Sequence, residues 1–307
     1  MADSKIVSRF GIQRKIVANM TTESWQNIPH VSYLFEPDLT NFLDSFEEFK
    51  KKLPADLKIT LNIVVLKAIA EALKAAPDMN AHLHFEQKLV RGKMTRYSNV
   101  DISMPWLLPN GEMMTITMKD LGNRSLINIS EYMAETAHKI SNTNLNEVMI
   151  DVAMNNTMEA LKNGRVIRAV QRLIGSKTTK RHRISPLKGH AKKMYDAIPD
   201  TDKLVFEDLK QGTITVSNIG SITRGQTGEV AMLMIIPPQV VAIAISSLQK
   251  KPRVVTNEKG EDEIKIVNVL PLCICFDHRA LDFGDIKPFM DRLQEIFDHP
   301  EEILKLD

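Results

Sequence analysis

The chain has 307 residues, 43% hydrophobic and 25% charged, with a net charge of +2. That is the composition of an ordinary globular protein, and it gives no global charge to draw nucleic acid or a membrane surface. No apolar run approaches the roughly 20 residues needed to span a bilayer. The only cysteines, Cys273 and Cys275, leave no disulfide framework. Met1-Ala-Asp-Ser-Lys5 lacks the charged-then-apolar pattern of a secretion signal. The expected compartment is the cytoplasm.

Residues 11–27 carry Ile12, Ile16, Val17 and Met20 at helical spacing, and Ile28-Pro29 ends that helix. His30 to Phe35 reads as a strand. A second helix is expected after Asp38 as N-cap, with Leu39, Phe42, Leu43 and Phe46 on one face. Residues 58–75 form the clearest helix, striped by Ile63, Leu66, Ile69, Ala70 and Leu73 and stopped by Pro77. Residues 81–85 alternate as a strand that puts His82 and His84 on one face. Without a third ligand, paired surface histidines are the expectation rather than a metal site. Strands are expected at 99–104 and 113–118 around Pro109-Asn-Gly111, and a helix at 126–140.

Residues 145–205 break this pattern. Eleven lysines and arginines lie from Lys162 to Lys193 with no Asp or Glu between them. The other 29 basic residues face 38 acidic ones, a balance of −9. Val166, Ile167, Val170, Leu173 and Ile174 stripe the basic run, which reads as a basic amphipathic helix followed by a loop over 175–183. A solvated helical insertion, or docking to an acidic partner or an anionic membrane surface, accounts for such a segment. Nucleic acid is not expected, because the run has no aromatic residues to stack on bases.

Beyond it, strands are expected at 212–217, 231–236, 240–246 and 264–275, and a closing helix at 286–297. Helices and strands mix without strict alternation, which favours a mixed-sheet α/β sandwich over a doubly wound sheet. The stretch Leu270 to Asp285 ends an apolar run in Asp277-His278-Arg279, with Asp282 four residues past the histidine. His278 thus sits where a strand gives way to a turn, a usual place for a reactive side chain. Imidazole is the side chain whose ordinary titration suits a general base near neutrality, and Asp282 can orient the ring or stiffen the turn. A polar cap on a strand end is the plainer reading of the same residues. Asp282-Phe-Gly284 stands without a kinase glycine-rich loop, and no G-x-G-x-x-G occurs.

Several motifs occur in one order: Arg14-Lys-Ile-Val-Ala-Asn-Met20, Ile28-Pro-His-Val31, Thr60-Leu-Asn62, Asn99-Val-Asp-Ile102 and Pro109-Asn-Gly111. Ser125-Leu126, Gly212-Thr-Ile-Thr-Val-Ser-Asn-Ile-Gly220, Ile236-Pro-Pro-Gln239 and Asp277-His-Arg-Ala-Leu-Asp282 follow. In that order the chain resembles the catalytic domain of the dihydrolipoamide acyltransferases of 2-oxoacid dehydrogenase complexes, among them pyruvate dehydrogenase. The resemblance covers nearly everything except about 145–205. It implies a chloramphenicol acetyltransferase-like mixed-sheet α/β sandwich, a single domain over 1–307 with a helical basic insertion. His278 matches the general base, Ser217 the oxyanion-stabilising serine, and Asp282 the residue supporting the histidine turn. Asn218 and Gly220 are expected on the cofactor side, and no metal is implied. CoA or acyl-CoA is the implied substrate.

No lipoyl or peripheral subunit-binding segment is recognised in the chain, so the resemblance implies a lipoyl group carried by another chain, fed by a 2-oxoacid decarboxylase. It also implies trimers, or higher assemblies of them, with His278 and Ser217 meeting from different subunits. Both cysteines read as small core residues. The sequence departs from the family at Phe283, where glycine is usual, and in the basic insertion. An oligomeric scaffold with weak or no activity, or transfer to a small-molecule acceptor, are the alternatives.

Overall fold

A computed structural model describes residues 10–55, 57–108, 111, 113–162, 186–223 and 225–306. The amphipathic stripe at 166–174, the loop at 175–183 and the Pro109-Asn110 turn lie outside the described residues. The chain divides into two compact units: Met1–Glu23 with Glu135–Lys210, and Ser24–Ala134 with Gln211–Asp307.

In chain order the elements are α1 (Ile12–Asn27), β1 (His30–Phe35), α2 (Thr40–Lys51), α3 (Leu61–Ala75), β2 (Ala81–Glu86), β3 (Arg91–Arg96), β4 (Ile102–Leu107) and β5 (Met113–Met118). Then come α4 (Leu126–Asn142), α5 (Leu145–Lys162), α6 (Gly189–Asp196), α7 (Phe206–Leu209), β6 (Ile214–Asn218), β7 (Val241–Ile245), β8 (Gln249–Thr256), β9 (Asp262–Val269), β10 (Leu272–Asp277) and α8 (Phe283–Asp298).

The second unit is built on a six-stranded sheet ordered β1-β10-β7-β6-β4-β5. β6 runs parallel to both β7 and β4, and the other neighbours are antiparallel. The sheet is therefore mixed, as expected. Alternation along the central strands sorts side chains by size. Val241, Ile243 and Ile245 of β7 and Leu272, Ile274 and Phe276 of β10 join a large core with Leu66, Ile69, Leu73, Phe289 and Phe297 from α3 and α8. The intervening Ala242, Ala244, Cys273 and Cys275 form a smaller cluster with Ile28 and Ile235 on the opposite face. Both cysteines are buried and free, as small core residues should be.

In the first unit, the Glu147 carboxylate of α5 accepts the Leu187 N–H and pairs with the Lys192 ammonium at 2.7 Å. Thr143 accepts the Leu204 N–H at 2.8 Å.

Several sequence expectations change. The strand expected over 231–236 is irregular. Its backbone bonds to side chains instead of a ladder: Leu233 N–H meets Cys275 Sγ at 3.1 Å, and Ile235 N–H meets His30 Nε2 at 3.1 Å. The single strand expected over 264–275 is two, β9 and β10, parted at Leu270-Pro271, because proline has no N–H to donate to a ladder. The strand expected at 99–104 starts later, at Ile102, and β3 and β8 were not foreseen. Asp38 lies one residue before the cap of α2, yet its carboxylate takes the Thr40 N–H at 2.8 Å. The closing helix starts three residues early, with Asp282 as its N-cap. His82 is no free surface histidine. Its Nε2 meets the Gly212 carbonyl at 3.1 Å and its Nδ1 the Tyr97 hydroxyl at 3.0 Å.

Gly220 follows β6 where the chain passes close to the end of β7. A Cβ there would stand 2.7 Å from Ser246 O. That carbonyl cannot easily retreat, since Ser246 N–H is bonded to Pro271 O at 2.9 Å. Gly220→Ala is therefore expected to destabilise the protein by about 1–3 kcal/mol, the usual cost of overpacking. Urea unfolding measures this, and a change under about 0.5 kcal/mol would mean that the turn yields freely.

Candidate active site

β10 is hydrogen-bonded on both sides, to β1 and to β7, and it ends at Asp277. Asp277 is buried, and its charge is matched in place: Arg279 Nε and Nη2 reach the carboxylate at 2.9 and 2.6 Å. The same guanidinium lies over the Phe85 ring, 5.6 Å from its centre. Asp277 also accepts the Arg279 N–H at 3.0 Å. One paired buried carboxylate thus shapes the turn that carries His278.

Two backbone groups set the histidine. Its N–H donates to Pro29 O at 3.1 Å, which ties the turn to the start of β1. Its Nδ1 lies 3.0 Å from Leu281 O. A carbonyl only accepts, so Nδ1 carries the proton, and in the neutral ring Nε2 carries the lone pair. Among the described residues Nε2 has no hydrogen-bond partner. Asp282 Oδ1 stands 3.2 Å from the same Nδ1. The Asp282 side chain is 79% exposed, so water screens its pull on the ring, and the Leu281 carbonyl is the main orienting group. The imidazole side chain is itself 48% exposed, open to a substrate.

Ser217 lies on β6, only 5% exposed. Its neighbours Ile214 and Val216 join the helix-covered core, so alternation turns Ser217 to the small-residue face. Its hydroxyl has no hydrogen-bond partner among the described residues. The His278 ring, by contrast, rests edge-on against Phe276, on the helix-covered face. Ser217 is level with Ala244 of β7, which is level with Cys273 of β10. His278 lies five positions beyond Cys273, so the Ser217 and His278 Cα atoms are roughly 15 Å or more apart at ordinary strand spacings. Within one chain, the two residues are not brought together.

Asn218 and Gly220 hold the turn after β6. Asn218 Nδ2 donates to Asn62 Oδ1 at 2.6 Å, near the start of α3, and Asn218 Oδ1 accepts the Ser221 N–H at 3.0 Å. Among the described residues no three His, Cys, Asp or Glu are grouped to hold a metal ion.

Sequence reasoning assigned no role to His30, which lies on β1 level with Asp277, next to the turn that carries His278. Its Nδ1 meets Ile28 O at 2.9 Å and its Nε2 accepts the Ile235 N–H at 3.1 Å. That pattern needs a neutral ring. Burial pushes its pKa down, ahead of the opposing bond to Ile28 and the charge of Asp277. The motif Ile28-Pro-His-Val31 was the available signal.

A sequence profile described as 2-oxoacid dehydrogenases acyltransferase (catalytic domain) matches residues 2–151 and 177–305. The chain belongs to that family. The unmatched stretch between the two matches falls within the basic insertion. The chain is similar to the dihydrolipoyllysine-residue acetyltransferase component of the pyruvate dehydrogenase complex of Zymomonas mobilis, with 25% identity over 292 residues, 95% of this chain and 49% of that protein. Its counterpart in Rickettsia prowazekii is 31% identical over 137 residues, 44% of this chain and 32% of that protein. The chain spans about half the length of these curated relatives, or less.

The cubic core of a pyruvate dehydrogenase multienzyme complex shares the family fold with this chain, at a TM-score of 0.64 and 20% identity over 99% of this chain and 96% of that one. The dihydrolipoamide acetyltransferase of Azotobacter vinelandii does so at 0.63 and 20% identity, again over 99% and 96%. In that protein a serine, a histidine and an asparagine four positions past the histidine were investigated for their role in catalysis.

Folding stability should report the half-buried histidines of the family domain. Burial is also the largest influence on His82, and it too is held below the ordinary 6.5. For both residues the unfolded chain binds the proton more tightly. Their contribution is therefore intact above about pH 6.5, the unfolded value, and is lost as pH falls from there through their lowered folded values. The thermal midpoint should hold from pH 8 to 7 and drop below about 6.5. His30→Gln, which keeps an acceptor for the Ile235 N–H but does not titrate, should flatten that drop. An unchanged slope would remove His30 from the account.

Proposed function

We propose that this chain is an acyltransferase that moves an acyl group between CoA and a dihydrolipoyl thiol, with His278 as general base. The observation that carries the reading is the bond from His278 Nδ1 to Leu281 O, which reserves Nε2 for an incoming proton. A thiol is mostly protonated at neutral pH and needs such a base to attack. Nε2 takes the S–H proton, and the thiolate adds to the thioester carbonyl. The tetrahedral oxyanion is met by a Ser217 hydroxyl. Collapse breaks the original carbon–sulfur bond, and the departing thiolate recovers the proton from the imidazolium. No covalent enzyme intermediate is required, so Cys275 keeps its core role. Loss of one oxyanion donor typically costs roughly 3 kcal/mol of barrier.

The separation of Ser217 from His278 within one chain supports a site shared between copies, in a homotrimer or an assembly of trimers. The histidine-to-Asp282 spacing of four, the same as between the histidine and asparagine of the Azotobacter vinelandii enzyme, supports a positioning role for Asp282. Asn218 and Gly220 then shape the cofactor side as turn residues. The lipoyl group is supplied by a separate chain, charged by a 2-oxoacid decarboxylase. The basic segment from Lys162 to Lys193 is a docking arm for an acidic partner or an anionic membrane surface. Cys273 and Cys275, 3.5 Å apart as free thiols, fit a reducing compartment, the cytoplasm.

His278→Ala should lower turnover of acetyl-CoA with dihydrolipoamide at least about a hundredfold, the usual scale for losing a general base. Near-normal turnover ends this reading. Ser217→Ala should cost about the same or more. Co-expressing the two variants tests the shared site. In randomly mixed trimers about a quarter of the sites combine an intact histidine with an intact serine, so roughly a quarter of wild-type activity should return. Mixed assemblies as inactive as either parent place both groups in one chain's site.

A further inference from the structure

Phe283 takes no part in the proton transfer or in holding the oxyanion, yet its ring touches Phe276, which touches the His278 imidazole. It opens α8, one residue after Asp282 and five after His278. The cap of that helix is made without it: the Asp282 N–H donates to Asp285 Oδ2 at 2.8 Å. The core beneath is filled by Ile286 and Phe289. Phe283 remains 50% exposed, with its ring edge-on to Phe276 at 5.4 Å and to Tyr33 at 6.0 Å. Phe276 is fully buried, and its ring also meets the His278 imidazole, at 5.9 Å. Tyr33 is 39% exposed on β1, the edge strand of the sheet. Tyr33, Phe283, Phe276 and His278 therefore form one chain of ring contacts, in which the buried Phe276 links the exposed, mainly apolar rings of Phe283 and Tyr33 to the base.

The chemistry of the two thiols decides what that surface takes. The base must meet the S–H, so the atoms next to sulfur lie nearest the rings. In CoA an amide follows the sulfur after two methylenes and needs polar partners. In a dihydrolipoyl group the thiols sit on a saturated hydrocarbon arm that reaches its amide only at the far end. Aromatic rings desolvate methylenes well and leave an amide unpaired. We infer that Phe283 and Tyr33 are specificity-determining residues that seat the hydrocarbon arm of the thiol substrate beside His278. The inference rests on the acyl-transfer reading for its substrate and on the ring geometry for its place.

The test compares wild-type protein with Phe283→Gly and with Phe283→Leu, which keeps an apolar side chain if the glycine variant folds poorly. Steady-state rates are measured with dihydrolipoamide and with CoA as the varied thiol. Binding of octanamide, an eight-carbon amide without sulfur, is measured by calorimetry. The expected result for Phe283→Gly is about a tenfold rise in KM for dihydrolipoamide, several times the change for CoA, and a matching loss of octanamide affinity. Phe283→Leu should fall between the two. Equal losses for both thiols, no octanamide binding to the wild type, or octanamide affinity untouched by either variant would overturn the inference. Octanamide binding that is lost in Phe283→Gly, in a wild type that transfers no acyl group to any thiol, would support the apolar seat and sink the acyl-transfer reading alone.

Discussion

The hydrogen bond from His278 Nδ1 to the Leu281 carbonyl is the constraint on which the candidate site depends. It selects the tautomer, and so decides which ring nitrogen faces the substrate. A bond three residues long holds only if the turn containing it is rigid. The rigidity comes from β10, laddered on both sides until Asp277, and from the Asp277–Arg279 pair immediately after. Burying a carboxylate is costly unless it is paired and hydrogen-bonded, and Arg279 does both with its guanidinium and its own N–H. Pro29 O then ties the turn back to β1.

Residue size on the two sheet faces organises what surrounds this turn. The large side chains of β7 and β10 are matched by α3 and α8, so the base emerges beside the first turn of α8. The small side chains on the other face let residues 230–236 lie close to the sheet without forming a strand. Those residues satisfy their backbone through His30 and Cys275, so a neutral His30 is part of the support for the neighbouring turn. The same alternation turns Ser217 away from the face on which the His278 ring rests. Base and hydroxyl belong to one reaction only if two copies come together, and that separation is the physical content of the proposed assembly.

Much of this was legible in the residues alone. The stripe of α3, the alternation of β6 and β7, and the break after Asp277 are periodic signals, and periodicity survives without tertiary contacts. The mixed sheet followed from the irregular order of helices and strands. What was missed had weak local signals. β8 pairs with β9 and leaves Val254 exposed, so its pattern does not read as core alternation. Residues 231–236 look like a strand because they are apolar, and only the side-chain acceptors of His30 and Cys275 remove them from a ladder.

The chain's residue types and their order determined that an imidazole would follow a buried strand, that a carboxylate would stand four residues on, and that no disulfide would staple the fold. The tertiary structure decided which groups act on that imidazole. Leu281 and Pro29 contribute through their carbonyls, which every residue possesses and no side-chain pattern marks. Asp277 looked like one acid among several until burial made Arg279 its necessary partner. Phe283 came to share the Phe276 ring with the base only when β1, β10 and the start of α8 were folded against one another. Local periodicity is written in consecutive residues, whereas burial and backbone acceptors depend on which distant segments come to lie side by side.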